Sequence, residues 1–315
     1  MENLIFSLNA TVPIFLLMVL GFVFHQIGWI DDVFASKMNR FVFLVPLPVL
    51  LFGDLASVDF SQIWNPKFII FCFVATLLSI LLVFLLSGFL KDKSLRGEFI
   101  QSSYRSSAAL LGIAFIENIY GNSGMAPLMI IGSVPLYNVI AVIVLSVFTP
   151  ENKGKLDRSV ARKTIHGILT NPILIGIVTG LLWSMLRLPY GGIFQKAIEN
   201  VAHTATPLGL MAMGASFDIH KALGKLRPSL CAVFIKLVGL CALFLPIAIH
   251  FGFRESELIA ILVMLGSATT VSCFVMAKNM GHEGTLSSSV IMLTTLCSAF
   301  TLTGWLYILK TLQLI

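Results

Sequence analysis

The chain has 315 residues, 57% of them hydrophobic and only 11% charged, with a mean hydropathy of +0.94. A water-soluble domain of this length needs far more charge for its surface, so a soluble enzyme or binding module is excluded. The formal net charge of +6 is explained by loop cations and gives a nucleic-acid partner little support.

Apolar stretches long enough to cross ~30 Å of hydrocarbon fall at 5–27, 33–53, 66–90, 98–120, 125–148, 164–186, 195–217, 226–250, 256–279 and 286–309. The fourth and ninth are interrupted by serine, threonine and charge. The first span lacks a basic n-region and is too long for a cleaved signal, so it reads as a retained helix. The expected fold is an all-α membrane protein of ten transmembrane helices.

The chain also repeats itself. Asn39, Pro46 and Gly53 return as Asn200, Pro207 and Gly214. Pro13 and Gly21 return as Pro172 and Gly180, Pro66 as Pro228, and the Gly121/Gly124 pair as Gly281/Gly284. Residues 1–148 therefore form a first five-helix repeat, 149–163 a connecting loop and 164–315 a second repeat. Five spans is an odd number, so the second copy enters the bilayer from the opposite side; such inverted repeats are the mark of secondary transporters.

Lys67, Arg187, Lys196, Arg254 and Lys310 lie on one face; Arg105 and Lys236 lie inside spans; the other cations of the 21 follow odd-numbered spans. By the positive-inside rule that richer face is cytoplasmic, so both termini are expected on the non-cytoplasmic side of a bacterial inner membrane. Cys72, Cys231, Cys241, Cys273 and Cys297 all sit in spans without a CxxC pair and read as small apolar residues. The six histidines form neither HExxH nor an i,i+4 pair, so no metal or other cofactor is expected; His203, the one histidine within a span and away from its ends, reads as a packing residue. There is no GxxxxGK[ST] motif for nucleotide-driven pumping.

The fourth span reads GEFIQSSYRSSAALLGIAFIENIYG and the ninth ELIAILVMLGSATTVSCFVMAKNMG. Each centres on small and hydroxyl residues: Ser106, Ser107, Ala108 and Ala109 in one, Gly266, Ser267, Ala268, Thr269 and Thr270 in the other. Small residues let backbones approach, and hydroxyls satisfy groups freed by local unwinding. Two such segments crossing near mid-membrane would aim half-helix N-termini at a shared cavity, a natural anion site; ordinary packing of small residues is the competing reading. Arg105 either attracts an anion or snorkels to the headgroups, and Lys236 has the same two readings. Glu117 reads as interfacial. In the fifth span, Asn138 beside Tyr137 is either interhelical glue or a substrate contact. Pro46, Pro48 and Pro207 lie mid-span and mark kinks at hinge or cavity positions. No carboxylate stands out within a span, which leaves the coupling ion open.

Several segments resemble one family. MNRFVFLVPLPVLLF (38–52) is similar to the second helix of the auxin efflux carriers, a family that includes bacterial malate and malonate permeases and plant PIN-type carriers. TNPILIGIVTGLL (170–182), TPLGLMAMGASF (206–217) and VMAKNMG (275–281) resemble its sixth, seventh and ninth helices. The resemblance implies a 5+5 inverted repeat with helices 4 and 9 broken and crossing, as in sodium–proton antiporters and bile acid symporters. It also implies an elevator-type movement and a homodimer. The family's site maps to Ser107, Tyr137, Asn138 and Ala268 to Thr270. The chain departs from the family pattern at Ser107, where asparagine is usual, and at Ala114 and Ala268, where prolines mark the crossover.

The expected function is secondary transport of a small organic anion, a mono- or dicarboxylate or an auxin-like acid. The substrate-binding candidates are Arg105, Ser106, Ser107, Tyr137, Asn138, Ala268, Thr269 and Thr270, with Ala108, Ala114, Pro46, Pro48 and Pro207 at the crossover and hinges. A non-transporting sensor or scaffold that kept a transporter fold is the alternative. An intramembrane enzyme ranks last, for want of paired aspartates or a Ser/His constellation.

Overall fold

The computed structural model describes residues 2–57, 65–108, 116, 119, 124–149, 165–167 and 169–315, with the backbone alone for 2–11. The described residues are helical throughout, without a strand. In chain order the helices are α1 (Glu2–Gln26), α2 (Asp32–Leu44), α3 (Pro46–Ala56), α4 (Pro66–Leu86), α5 (Arg96–Tyr104), α6 (Ala126–Val147) and α7 (Pro172–Met185). There follow α8 (Gly192–Ala202), α9 (Ala205–Ala215), α10 (Ile219–Gly224), α11 (Leu226–Phe234) and α12 (Leu240–His250). The last are α13 (Glu255–Gly266), α14 (Ser272–Asn279) and α15 (Thr285–Thr311).

Local chemistry fixes the helix starts. Asn65 and Asn171 each turn a side-chain oxygen onto a first-turn amide, at 3.1 Å on Phe68 N and 2.9 Å on Ile173 N, and a proline follows at the first helical position. Asp31 and Asp218 cap α2 and α10 in the same way.

Among the described residues, five helices are long and apolar enough to cross a bilayer: Asp32–Ala56, Pro66–Phe89, Ala126–Val147, Leu226–His250 and Thr285–Thr311. Of the first and sixth stretches, the described parts Val12–Gln26 and Pro172–Met185 are shorter apolar helices. The seventh divides into α8 and α9, the ninth into α13 and α14, and the fourth leaves the helix at Arg105. The lipid-facing surface is apolar, as on α4, where Ile70, Phe73, Leu77, Leu81 and Leu85 are exposed.

Pro46, Pro48 and Pro207 fall at helix starts rather than at bends within a helix. Val45 adopts φ −125°, ψ −71°, so α2 stops there and Pro46 opens α3. Pro48 and Pro207 also fall in the first turn of a helix, where the missing N–H has no carbonyl to bond. His203 lies at the break between α8 and α9 with its ring exposed, not packed.

Two groups of helices result. In one, α3 packs on α7 and α8, and α9 packs on α1 and α2. In the other, α4, α5 and α6 pack with α11 to α15. The groups meet where α1 lies on α15 and α2 on α14. The first is held by backbone-to-backbone contacts at glycine: a Cβ on Gly214 would stand 2.0 Å from the Met18 carbonyl oxygen, and one on Gly176 2.4 Å from that of Pro48. Neither contact is a movable side chain. Gly214→Ala is therefore expected to destabilise by roughly 1–3 kcal/mol through separation of α1 from α9, read as a lower thermal unfolding midpoint in detergent. An unchanged midpoint would show that these helices can shift apart freely.

Candidate functional site at the crossover

The interrupted fourth and ninth spans touch at their breaks. Beyond α5 the chain turns extended at Arg105 (φ −75°, ψ 133°), and beyond α13 it does so at Ser267 (φ −73°, ψ 163°). Breaking a helix frees backbone groups, and the two breaks satisfy each other. Ser107 N donates to the Ala268 carbonyl at 2.9 Å, and Thr269 Oγ1 donates to the Ser102 carbonyl at 2.8 Å. Thr269 N finds Thr294 Oγ1 on α15 at 3.0 Å, and Ser106 Oγ donates to the Met264 carbonyl. Tyr137 on α6 gives its hydroxyl to the same carbonyl at 3.0 Å. The small-polar clusters thus suffice for a break where Ala268 stands in place of proline.

Arg105 is 1% exposed, which removes the snorkelling reading. One of its terminal nitrogens donates to Asn138 Oδ1 at 2.8 Å and to Ser272 Oγ at 2.7 Å. The other reaches Gln101 Oε1 at 3.2 Å and Met276 Sδ at 3.0 Å. Asn138 completes its own bonding by donating to the Val134 carbonyl at 2.9 Å, so it positions the guanidinium as well as lining the site. Lys236 is fully buried too and does not snorkel. It lies in a π-helical turn, Ile235–Gly239, and donates to Ser106 Oγ and to the Leu265 carbonyl. Trp305 Nε1 takes up the Leu237 carbonyl of that turn at 3.1 Å.

Both cations stand at the C-terminal ends of half-helices, Arg105 directly after α5 and Lys236 against the Leu265 carbonyl in the last turn of α13. Helix C-termini carry partial negative charge, so each cation has a local reason to be there. Neither is ion-paired: among the described residues the salt bridges are His25–Asp32, Lys221–Asp218 and Lys225–Glu283. The buried carboxylate of Glu98 is spent elsewhere, accepting from Gly284 N at 3.0 Å and Ser287 N at 2.9 Å at the start of α15.

A cavity of about 80 Å³ opens at the crossover. Arg105, Ser106, Ser107, Ala108, Tyr137, Asn138, Ala268, Thr269 and Thr270 all line it. The opposite wall comes from the other helix group: Ile14, Val42, Leu47, Leu50, Leu51, Asp54, Ala205 and Thr206. Pro46, Pro48 and Pro207 stand back from the lining, and Ala114 and Glu117 lie outside the described residues. A larger, polar vestibule of about 930 Å³ adjoins Asp32, Ser36, Asn39, Arg40, Lys278 and Asn279. Span 2 thus lines both spaces. Val271, Val275 and Val42, on the wall of the crossover cavity, close on Gly209, whose Cβ would meet their methyl groups at 3.0, 3.6 and 3.8 Å.

Sequence reasoning passed over Gln101, Ser272 and Asp54. Gln101 was detectable four residues before Arg105, on the same helical face. Asp54 falls just past the expected end of the second span, so the reading that no carboxylate stands out within a span is corrected: α3 extends to Ala56 and carries Asp54 on the cavity wall.

Largely apolar helices, with the fourth and ninth spans broken and meeting at a polar cavity, define an integral multi-pass membrane transporter. The chain belongs to the membrane transport protein family, the auxin efflux carrier group, whose family model matches residues 6–306. It is 22% identical over 321 residues to a putative malonate transporter of Rhizobium meliloti, covering 96% of this chain and 95% of that one. It is 20% identical over 309 residues to an uncharacterized transporter of Methanothermobacter thermautotrophicus, covering 96% and 98%. Among solved structures, a sodium proton antiporter from Methanocaldococcus jannaschii shares the fold at a TM-score of 0.64 and 14% identity, covering 95% of this chain and 97% of that one.

Proposed function

We propose that this protein is a secondary carrier of a small organic anion, a mono- or dicarboxylate, and that the anion binds in the crossover cavity. One observation carries the reading: Arg105 lines that cavity, buried and without a carboxylate partner among the described residues. A buried cation is retained when it faces a partner or a guest. The hydroxyls of Ser107, Thr206 and Thr270 and the N-terminus of α14 add donors on the same walls. The volume exceeds the ~10–15 Å³ that admits one water and is far below the ~300–1,000 Å³ of drug-sized sites, which favours a small guest. The name of the Rhizobium relative makes malonate the first probe.

The division of the helices supports an elevator-type mechanism, in which α4 to α6 and α11 to α15 carry the site past the wall formed by α1 to α3 and α7 to α9. In this reading, by the positive-inside rule, the vestibule faces the cytoplasm. The two halves act as inverted repeats, and the carrier works as a homodimer with its termini outside.

In proteoliposomes, a panel of radiolabelled carboxylates headed by malonate is expected to show saturable counterflow. Ser107→Ala with Asn138→Ala should lower it at least tenfold, through loss of a wall hydroxyl and release of the Arg105 head group. Wild-type flux in that double variant would overturn the site. Ligand-dependent thermal stabilisation without any flux would favour the sensor reading.

A further inference from the structure

The wall opposite Arg105 carries an acid that the anion reading does not use. Leu47, Leu50, Leu51 and Asp54 lie on successive turns of one face of α3, and all four line the crossover cavity. Asp54 Oδ2 is buried with no hydrogen-bond partner, and no cation pairs with Asp54 among the described residues. The neighbouring helices give little to balance it. No charged residue occurs on α7 or α9, and Lys196 on α8 is exposed. Tyr190 stands close by, its hydroxyl 3.1 Å from where a Cβ on Gly53 would be, and feels the charges of both Glu199 and Asp54. Across the cavity stands Arg105, already engaged with four side chains.

A carboxylate oxygen without a donor is costly away from water, and an incoming carboxylate would repel it in the same small space. A proton removes both penalties and turns the acceptor into a donor. A transition-metal ion fits less well: the described residues contain no group of three His, Cys, Asp or Glu side chains that could hold one.

We propose that Asp54 is the proton-binding site of the carrier, so that the organic anion and a proton move together. This rests on the anion-carrier reading. The Asp54 carboxylate takes one proton from water on the side where the anion enters. Because α3 belongs to the wall, Asp54 stays in place while the anion site passes it: the neutral acid and the anion share the cavity, and as the anion leaves on the other side Asp54 gives its proton to water there, restoring the carboxylate. Because each favours binding of the other, the coupling is reciprocal.

The test uses the full-length protein in proteoliposomes with radiolabelled malonate as probe. Wild-type protein is expected to accumulate malonate uphill when the outside is more acid. Asp54→Asn should lose that accumulation at least tenfold, with its residual flux the same with and without the pH gradient. Asp54→Glu, which keeps a titratable group, should retain the response and shows that the position tolerates change. Wild-type flux that ignores the pH gradient, or Asp54→Asn flux that still follows it, overturns the proposal. Infrared difference spectra of purified protein between acid and alkaline buffer give a readout that needs no transport. A protonated-carboxyl band present in wild type and absent in Asp54→Asn is expected; a band unaffected by the substitution, or no band in wild type, overturns the assignment even if malonate is not carried.

Discussion

Arg105→Met is expected to abolish anion counterflow and to lower the thermal unfolding midpoint measurably. The guanidinium holds Asn138, Gln101 and Ser272, which come from α6, α5 and the start of α14. Methionine fills similar space and offers no donor. Each buried acceptor left without one costs ~1–3 kcal/mol, and water entering the cavity recovers part of that, so a net loss of roughly 2–4 kcal/mol is expected. Transport fails for a separate reason, since the cavity loses the cation that attracts its guest. Arg105→Lys separates the two effects. An ammonium keeps the charge, but its single nitrogen cannot reproduce the two-sided grip of the guanidinium. Counterflow should therefore return in large part, with the charge, while the unfolding midpoint recovers only a minor share of its loss. If Arg105→Met instead carries malonate at the wild-type rate, the arginine is structural and the site lies elsewhere.

What the sequence disclosed follows from what the bilayer enforces. Uninterrupted hydrocarbon demands long apolar runs, so the spans of α4, α6 and α15 were legible from hydropathy alone. The crossover was legible for the opposite reason: hydroxyl and small residues are conspicuous in an apolar chain, and the two clusters recur at the repeat interval. The contact of Ser107 N with the Ala268 carbonyl joins positions separated by that same interval. Packing partners were not legible. Lys236 and Arg105 lie at similar depth, and no one-dimensional measure distinguishes a lysine that snorkels from one buried in a π-helical turn against Ser106 and Leu265. Asp54 was obscured by a boundary of one residue. The close contacts of Gly176 and Gly214 were not legible, Gly214 showing only as a recurrent glycine, since what a Cβ would strike depends on the neighbouring backbone.

Lys236→Met should have a different signature from Arg105→Met: transport lost, with stability retained or raised. Lys236 bonds only two neutral groups, the Ser106 hydroxyl and the Leu265 carbonyl, and is buried without an ionic partner. Burying an ammonium carries a desolvation cost of several kcal/mol, and those two bonds return part of it. Methionine matches the unbranched stem and fits irregular space, while Ser106 keeps its own bond to the Met264 carbonyl. The fold therefore has little reason to prefer lysine, and its presence at the crossover points to the working cycle. Its charge faces the C-terminal end of α13, where the broken helix exposes negative carbonyls, and it ties that end to the break after α5. Without it, the two breaks meet through fewer bonds and the cavity loses positive potential. Counterflow is expected to fall at least tenfold while the unfolding midpoint holds or rises. A fall in both together, in proportion, would make Lys236 a structural brace; a stable variant with unchanged flux would leave Arg105 as the sole cation the anion needs.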